Sequence, residues 1–146
     1  MASVNDVKIL RKVYEDRIEI EYNKTIKNLR GRRQKIYNRY NKKIKDEVKK
    51  YLETNINSVV NTIKSVDTYS AVDYDYVSID LTDKTLLKKV QELKQKADLE
   101  AKRINEKLEN MQFEYDDVME KLREWEIENI ERVINKEGLT KFEFKF

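Results

Sequence analysis

Apolar side chains recur every seven residues through the second half of the chain, over about residues 83–137. Two interleaved series carry this repeat, and eleven of their fourteen positions are apolar or aromatic. The first series is Leu87, Lys94, Ala101, Leu108, Tyr115, Leu122 and Asn129, and the second is Val90, Ala97, Ile104, Met111, Val118, Trp125 and Arg132. This seam predicts a long helix with one stripe that faces a partner. At about 1.5 Å per residue the helix would be roughly 80 Å long, so we expect a rod.

An eleven-residue repeat marks the first part of the chain and predicts a helix over about residues 3–52. Its main series is Val7, Ile18, Leu29, Tyr40 and Tyr51. Eleven residues in three turns is typical of a straight or slightly right-handed helix. Ser3 and Asp6 resemble a capping box at its start. The repeat keeps its phase across Gly31, which favours one continuous helix over the alternative, a helical hairpin that turns at Arg30–Gly31–Arg32.

The middle and the end of the chain carry weaker patterns. Apolar residues mixed with asparagine predict a further helix over about 54–65. Residues 72–81 alternate polar with β-branched or aromatic side chains, which predicts a strand. The tail 139–146 alternates in the same way after Gly138, which is well placed as the C′ residue of the preceding helix. Because an isolated strand is unstable, we expect 72–81 and 139–146 to pair as a small β ribbon. A disordered tail is the alternative.

Together these elements predict a mainly α single domain over 1–146, with long antiparallel helices in a coiled-coil or helical bundle. The two helices differ in period, so a simple two-stranded coiled coil is disfavoured, and a bundle that includes the 54–65 segment or a second subunit fits better. The antiparallel arrangement places Ala97 and Ala101 near Tyr37 and Tyr40. It also places Trp125 near Tyr14. The sequence leaves the oligomeric state open.

Composition excludes several classes of protein. The chain has no cysteine and no histidine, which removes disulfides, thiolate metal sites and the commonest general base. Acidic pairs such as Asp116 and Asp117 are typical of a solvated helix face, and the two glycines stand apart, so no phosphate-binding loop is present. We therefore expect no enzyme activity, no cofactor and no metal. No stretch is apolar enough for a membrane span or signal peptide, which predicts an intracellular protein without a membrane partner.

Charge is distributed unevenly along the chain. Residues 24–50 hold twelve bases and two acids, whereas residues 109–131 hold two bases and nine acids. Antiparallel packing would place the basic and acidic parts at opposite ends of the rod. The predicted partner-binding residues lie within four helical turns: Arg30, Arg32, Arg33, Lys35, Arg39, Lys42 and Lys43. Such a row is typical of nucleic-acid binding and could equally bind an acidic protein surface. Pairing within the chain is the competing explanation, and the acids of 109–131 would neutralise at most the start of this row.

Taken whole, the sequence resembles small RNA polymerase inhibitors encoded by two-tailed viruses (bicaudaviruses) of acidophilic archaea. Three segments carry the resemblance: the opening SVNDVKILRKVYEDRIEIEYNK, the basic GRRQKIYNRYNKK and the closing EGLTKFEFKF. It implies a helical bundle related to a virion structural protein. It also implies binding inside the DNA-binding channel of the host multi-subunit RNA polymerase, where the inhibitor limits clamp movement and blocks transcription. The likeness is overall and assigns no role to individual residues.

These observations predict a non-catalytic viral inhibitor of host RNA polymerase, located in the host cytoplasm, with association with virions as the alternative. One alternative is a protein that binds DNA or RNA directly through the basic helix 24–50. Another is a structural subunit of a virion or filament, in which the heptad seam pairs with copies of itself.

Overall fold

The computed structural model describes residues 1–54 and 84–146, which form two long helices. We label them α1 (Val4–Thr54) and α2 (Lys84–Ile134). The mainly α class and the two predicted long helices are confirmed. The predicted strand 72–81 lies outside the described residues. So does the predicted helix 54–65, apart from Thr54, which ends α1.

The start of α1 is a reciprocal capping box. The Ser3 backbone N–H donates to Asp6 Oδ2 at 2.8 Å, and the Asp6 N–H donates to Ser3 Oγ at 3.2 Å. The bond from the Ser3 backbone lowers the pKa of Asp6, because it stabilises the ionised carboxylate. The helix continues through Gly31, so the single-helix interpretation is confirmed and the hairpin is wrong.

The described residues form two compact units. Unit 1 contains residues 1–29 and 106–146. Its two helical parts are antiparallel, since Arg11 pairs with Glu126 near one end and the rings of Tyr22 and Tyr115 meet near the other. The core of unit 1 consists of Val7, Ile18, Val118, Leu122, Trp125 and Phe142. The predicted neighbours Tyr14 and Trp125 are confirmed, with ring centroids 5.1 Å apart.

Unit 2 spans residues 30–105, of which the helical parts 30–54 and 84–105 are described. The parts are again antiparallel, because Tyr37 lies opposite Asp98 and Glu47 lies opposite Lys89. One core cluster joins Ile44, Val48, Leu86 and Val90. The other joins Tyr37 to Ala97 and Ala101, with Tyr40 packed beside them. The small side chains of Ala97 and Ala101 leave room for the tyrosine rings, as the antiparallel arrangement of the two repeats predicted.

A Schellman motif ends α2, and its left-handed residue is Lys136, with a φ of 57°. The Glu137 N–H donates to the Arg132 carbonyl at 2.8 Å, and the Lys136 N–H donates to that of Val133 at 3.0 Å. The prediction that Gly138 is the C′ residue is therefore wrong. The helix stops two residues earlier, and Gly138 has no positive φ.

The C-terminal tail packs on the helices of unit 1 and contains no strand, so the predicted β ribbon is not found in residues 139–146. Phe142 is buried and Phe144 and Phe146 are half-buried, whereas the charged residues between them are exposed. Polar and apolar side chains do alternate along the tail, but its apolar side packs against the helices. The Trp125 Nε1–H donates to the Thr140 carbonyl at 3.0 Å, which partly replaces the missing ladder bonds.

Candidate partner-binding surface

All seven predicted partner-binding residues lie on the part of α1 that belongs to unit 2. Six of them are exposed and one, Arg33, is half-buried. Their exposure follows from the repeat that buries Tyr37, Ile44 and Val48, because those residues turn the opposite face of the helix to solvent.

Four of the seven residues form one row. Arg32, Lys35, Arg39 and Lys42 are spaced by three or four residues, which places them on one side of the helix. Arg30 lies roughly 160° away from Arg32 at 3.6 residues per turn, so it is exposed on another side. The structure therefore divides the predicted set, and we call the four aligned residues the basic row.

Glu100 of α2 neutralises the middle of this row. It forms an ion pair with Arg39 and accepts a hydrogen bond from the Tyr40 hydroxyl at 2.7 Å. The bond from Arg39 lowers the pKa of Glu100, whereas the bond to Glu100 raises the pKa of Tyr40 by stabilising its protonated hydroxyl. Lys43 lies 4.8 Å from the centre of the Tyr40 ring, in a cation–π contact.

Pairing within the chain does not follow the prediction from sequence. It was expected only at the start of the set, yet Arg39 near its end is paired, and Arg33 donates to Asn105 Oδ1 at 3.4 Å. The partners come from α2 residues that are themselves part of a basic stretch. Of the seven predicted residues, five form no hydrogen bond or ion pair within the described part of the chain: Arg30, Arg32, Lys35, Lys42 and Lys43, the last with its cation–π contact alone.

The second helix adds charge that was not assigned to the predicted site. Between residues 84 and 105, α2 contributes Lys84, Lys88, Lys89, Lys94, Lys96, Lys102 and Arg103. The described residues of unit 2 thus hold seventeen bases and six acids, a net charge of +11. Unit 1 holds thirteen bases and seventeen acids, a net charge of −4. The run of lysine and arginine residues over 84–103 is visible in the sequence, and helix pairing places it in the same unit as the basic row.

No arrangement typical of metal binding occurs in the described residues. Within those ranges, no three acidic side chains come together in a way that could hold a metal ion. A surface groove in unit 1 is lined by Glu114, Asp117, Lys121 and Phe144. Its charges partly cancel, since Lys121 Nζ lies 3.0 Å from Asp117 Oδ2. Neither α1 nor α2 is long and apolar enough to cross a membrane.

Comparisons with known proteins identify no relative. No protein-family model, curated protein or solved structure matches the chain. The charge distribution and the exposed residues of the two units therefore carry the functional argument, together with the sequence resemblance described above.

Proposed function

We propose that the chain is a non-catalytic viral inhibitor that binds the host RNA polymerase in its DNA-binding channel and blocks transcription. The observation that carries this proposal is the separation of charge: unit 2 has a net charge of +7 over its full range, 30–105, and +11 in its described residues, whereas unit 1 has −4. The resemblance to RNA polymerase inhibitors of two-tailed archaeal viruses supplies the identity of the partner.

Electrostatics support binding to such a channel. A surface that binds DNA is basic, so it attracts the acidic side chains of unit 1. The basic row of unit 2 is complementary to acidic patches on a protein. Occupying a channel requires shape and charge but no catalytic group.

Co-purification with archaeal RNA polymerase, with and without DNA, tests the proposal. We expect a stoichiometric complex that forms without DNA, is displaced by added DNA and inhibits transcription from promoters of unrelated sequence. The absence of a complex would contradict the proposal, as would inhibition that is lost when only the promoter sequence is changed.

Direct binding of DNA or RNA is a second candidate function, favoured by the exposed, unpaired Arg32, Lys35 and Lys42. Each phosphate that a lysine or arginine side chain contacts releases counterions, so the affinity for DNA should fall steeply as the salt concentration rises. If this function is correct, neutralising these three residues to glutamine should lower the slope of log K against log salt by about 3.

The matched control replaces Lys8, Arg17 and Lys145 with glutamine. These residues are exposed, belong to unit 1 and lie outside the basic helix 24–50, and the change in total charge is identical. Equal slopes for both triple variants would show that only net charge matters and would contradict a role for the basic row. Salt-sensitive DNA binding without any polymerase complex would replace the inhibitor proposal with this one.

A further inference from the structure

The acidic unit exposes a row of large apolar side chains on the outer side of α2. Phe113, Ile127 and Ile134 are 73%, 62% and 69% exposed. They are separated by fourteen and seven residues, so they occupy the same position of the heptad and lie along one side of the helix. We call these three residues the outer ridge.

The outer ridge is distinct from the core of unit 1. The core-facing side chains of α2 include Val118, Leu122 and Trp125, which are all buried at other heptad positions. A surface helix normally has one apolar stripe and a charged opposite face. This part of α2 has a second apolar stripe, interrupted by Glu120, and exposed apolar residues at helical spacing are the anchors by which a helix binds a groove.

Carboxylates flank the outer ridge on both sides. Between residues 109 and 131, the two heptad positions that flank the ridge carry Glu109, Asp116, Asp117, Glu124 and Glu131. A sixth carboxylate, Glu120, occupies the ridge position between Phe113 and Ile127. The base among them, Arg123, lies 3.9 Å from Glu120 in an ion pair. The ridge therefore presents apolar anchors within a negative field.

We propose that the outer ridge docks into an apolar-lined groove on a basic protein surface. This inference rests on the proposed function, which makes the RNA polymerase the protein that would carry this groove. The mode is that of a helix laid in a groove, with pockets for the anchors. At 1.5 Å per residue, the pocket for Phe113 lies roughly 21 Å from the pocket for Ile127, and the pocket for Ile134 lies roughly 10 Å further on.

The acidic flanks exclude other occupants on electrostatic grounds. Nucleic acid and anionic lipid surfaces are negatively charged, like the carboxylates that flank the ridge, and are therefore repelled. Two copies of the ridge packed against each other would bring carboxylates face to face, which is costly. A basic protein surface satisfies both the apolar and the charged parts of the ridge.

The test compares polymerase binding by the full chain and by the double variant F113S/I127S. The matched control is Leu99→Ser, because Leu99 is 72% exposed at the same heptad position of α2 but belongs to unit 2, among bases. We expect the double variant to bind polymerase at least about tenfold more weakly, with the control within about twofold of the unsubstituted chain. Both variants should keep the thermal midpoint of the unsubstituted chain, since the replaced side chains are exposed.

Four outcomes would overturn the inference. Unchanged polymerase affinity of F113S/I127S would remove the docking role and leave the proposed function intact. An unsubstituted chain that does not bind polymerase would overturn both. A sedimentation experiment in which the unsubstituted chain is a dimer and the double variant a monomer would assign the ridge to a second copy. Loss of flotation with phosphatidylcholine vesicles in the double variant alone would assign it to a membrane.

Discussion

Asn129 shows how much a single buried polar residue of this chain contributes. It occupies a seam position of α2, is 0% exposed, and the heptad pattern alone treats it as an interruption of an apolar stripe. Its side-chain amide donates to the Trp125 carbonyl at 2.8 Å and to Thr140 Oγ1 at 2.9 Å. Its oxygen accepts the Thr140 backbone N–H at 2.8 Å. Asn129 therefore fastens the C-terminal tail to the helix.

Replacing Asn129 with alanine should lower the free energy of unfolding by about 1–3 kcal/mol, because the partly buried Thr140 N–H loses its acceptor. Urea unfolding monitored by circular dichroism measures this change. The control is Asn110→Ala, at an exposed position of the same helix, which should change the free energy by less than about 0.5 kcal/mol. Equal effects of the two substitutions would contradict a fastening role for Asn129.

Glu100 gives unit 2 a dependence on pH. Its pKa is lowered mainly by the hydrogen bond from Arg39, so the folded state favours the ionised carboxylate. The stabilisation is complete above the unfolded-state pKa of Glu100, near 4.5, and is lost as the pH falls through its lower folded-state value. We expect Glu100→Gln to lower the urea midpoint at pH 7 and to have a much smaller effect at pH 3.

The control for this pH series is Glu53→Gln. Glu53 is exposed on α1 of the same unit and lies 3.9 Å from Lys49, the outer limit of an ion pair. Its substitution should leave the urea midpoint nearly unchanged at both pH values. If Glu100→Gln lowers the urea midpoint as much at pH 3 as at pH 7, packing rather than ionisation of Glu100 is responsible.

Among the elements, α1 is one helix because its eleven-residue repeat outweighs an interior glycine. Val7, Ile18 and Leu29 are all buried on the near side of Gly31, and Tyr37 and Ile44 are buried on the far side. A turn at Gly31 would break this alignment, which explains why periodicity alone predicted the continuous helix. A Cβ added at Gly31 meets no atom within 4 Å.

Substituting alanine for Gly31 should therefore raise the free energy of unfolding by about 1 kcal/mol, since alanine restricts the unfolded chain and fits the helix without a clash. Thermal and urea unfolding both measure this. Gly138→Ala is the comparison, because that position is also open but lies outside a helix, and the expected gain is smaller. A destabilised Gly31→Ala variant would contradict an uninterrupted, uncrowded helix at this site.

The C-terminal tail shows where periodicity failed to predict an element. Alternation places Phe142, Phe144 and Phe146 on one side of the tail, but it does not specify which surface buries them. A strand partner was inferred because an isolated strand is unstable. Instead, the rings contact Tyr14 and Tyr22 of α1 and each other, with centroids between 5.6 and 5.9 Å apart. Such tertiary contacts have no signal in the local pattern.

At the scale of the molecule, pairing of distant segments concentrates charge. The basic stretches of α1 and α2 both belong to unit 2, so its described residues have a net charge of +11 and the whole unit, 30–105, has +7. Self-repulsion of this size destabilises a compact state and is relieved by salt. Unit 1, at −4, should be less sensitive.

Hydrogen exchange of backbone amides at two ionic strengths tests this difference. Raising the ionic strength from about 0.01 M to about 0.1 M shortens the screening length from about 30 Å to about 10 Å. We expect protection of residues 36–48 in unit 2 to increase more than protection of residues 111–125 in unit 1. Protection that rises equally in both segments, or falls in 36–48, would contradict the argument.

The sequence by itself determined the two long helices, their antiparallel pairing and the location of the basic charge. The helices and their pairing follow from the repeats of seven and eleven residues, and the charge follows from local composition. Each of these signals lies within one helix or in the matching of two apolar stripes. The contacts of Tyr14 with Trp125 and of Tyr37 with Ala97 and Ala101 were predictable for this reason.

Only the tertiary structure decided which polar groups pair and what surface buries the tail. The pairing of Arg39 with Glu100, the bonds of Asn129 to Thr140 and the left-handed Lys136 each depend on the exact positions of atoms in segments that meet after folding. The same holds for the outer ridge: that its side chains stay exposed depends on how the surrounding helices pack. Hydrophobic periodicity gives the direction in which a side chain points, and the three-dimensional packing gives the group that it meets.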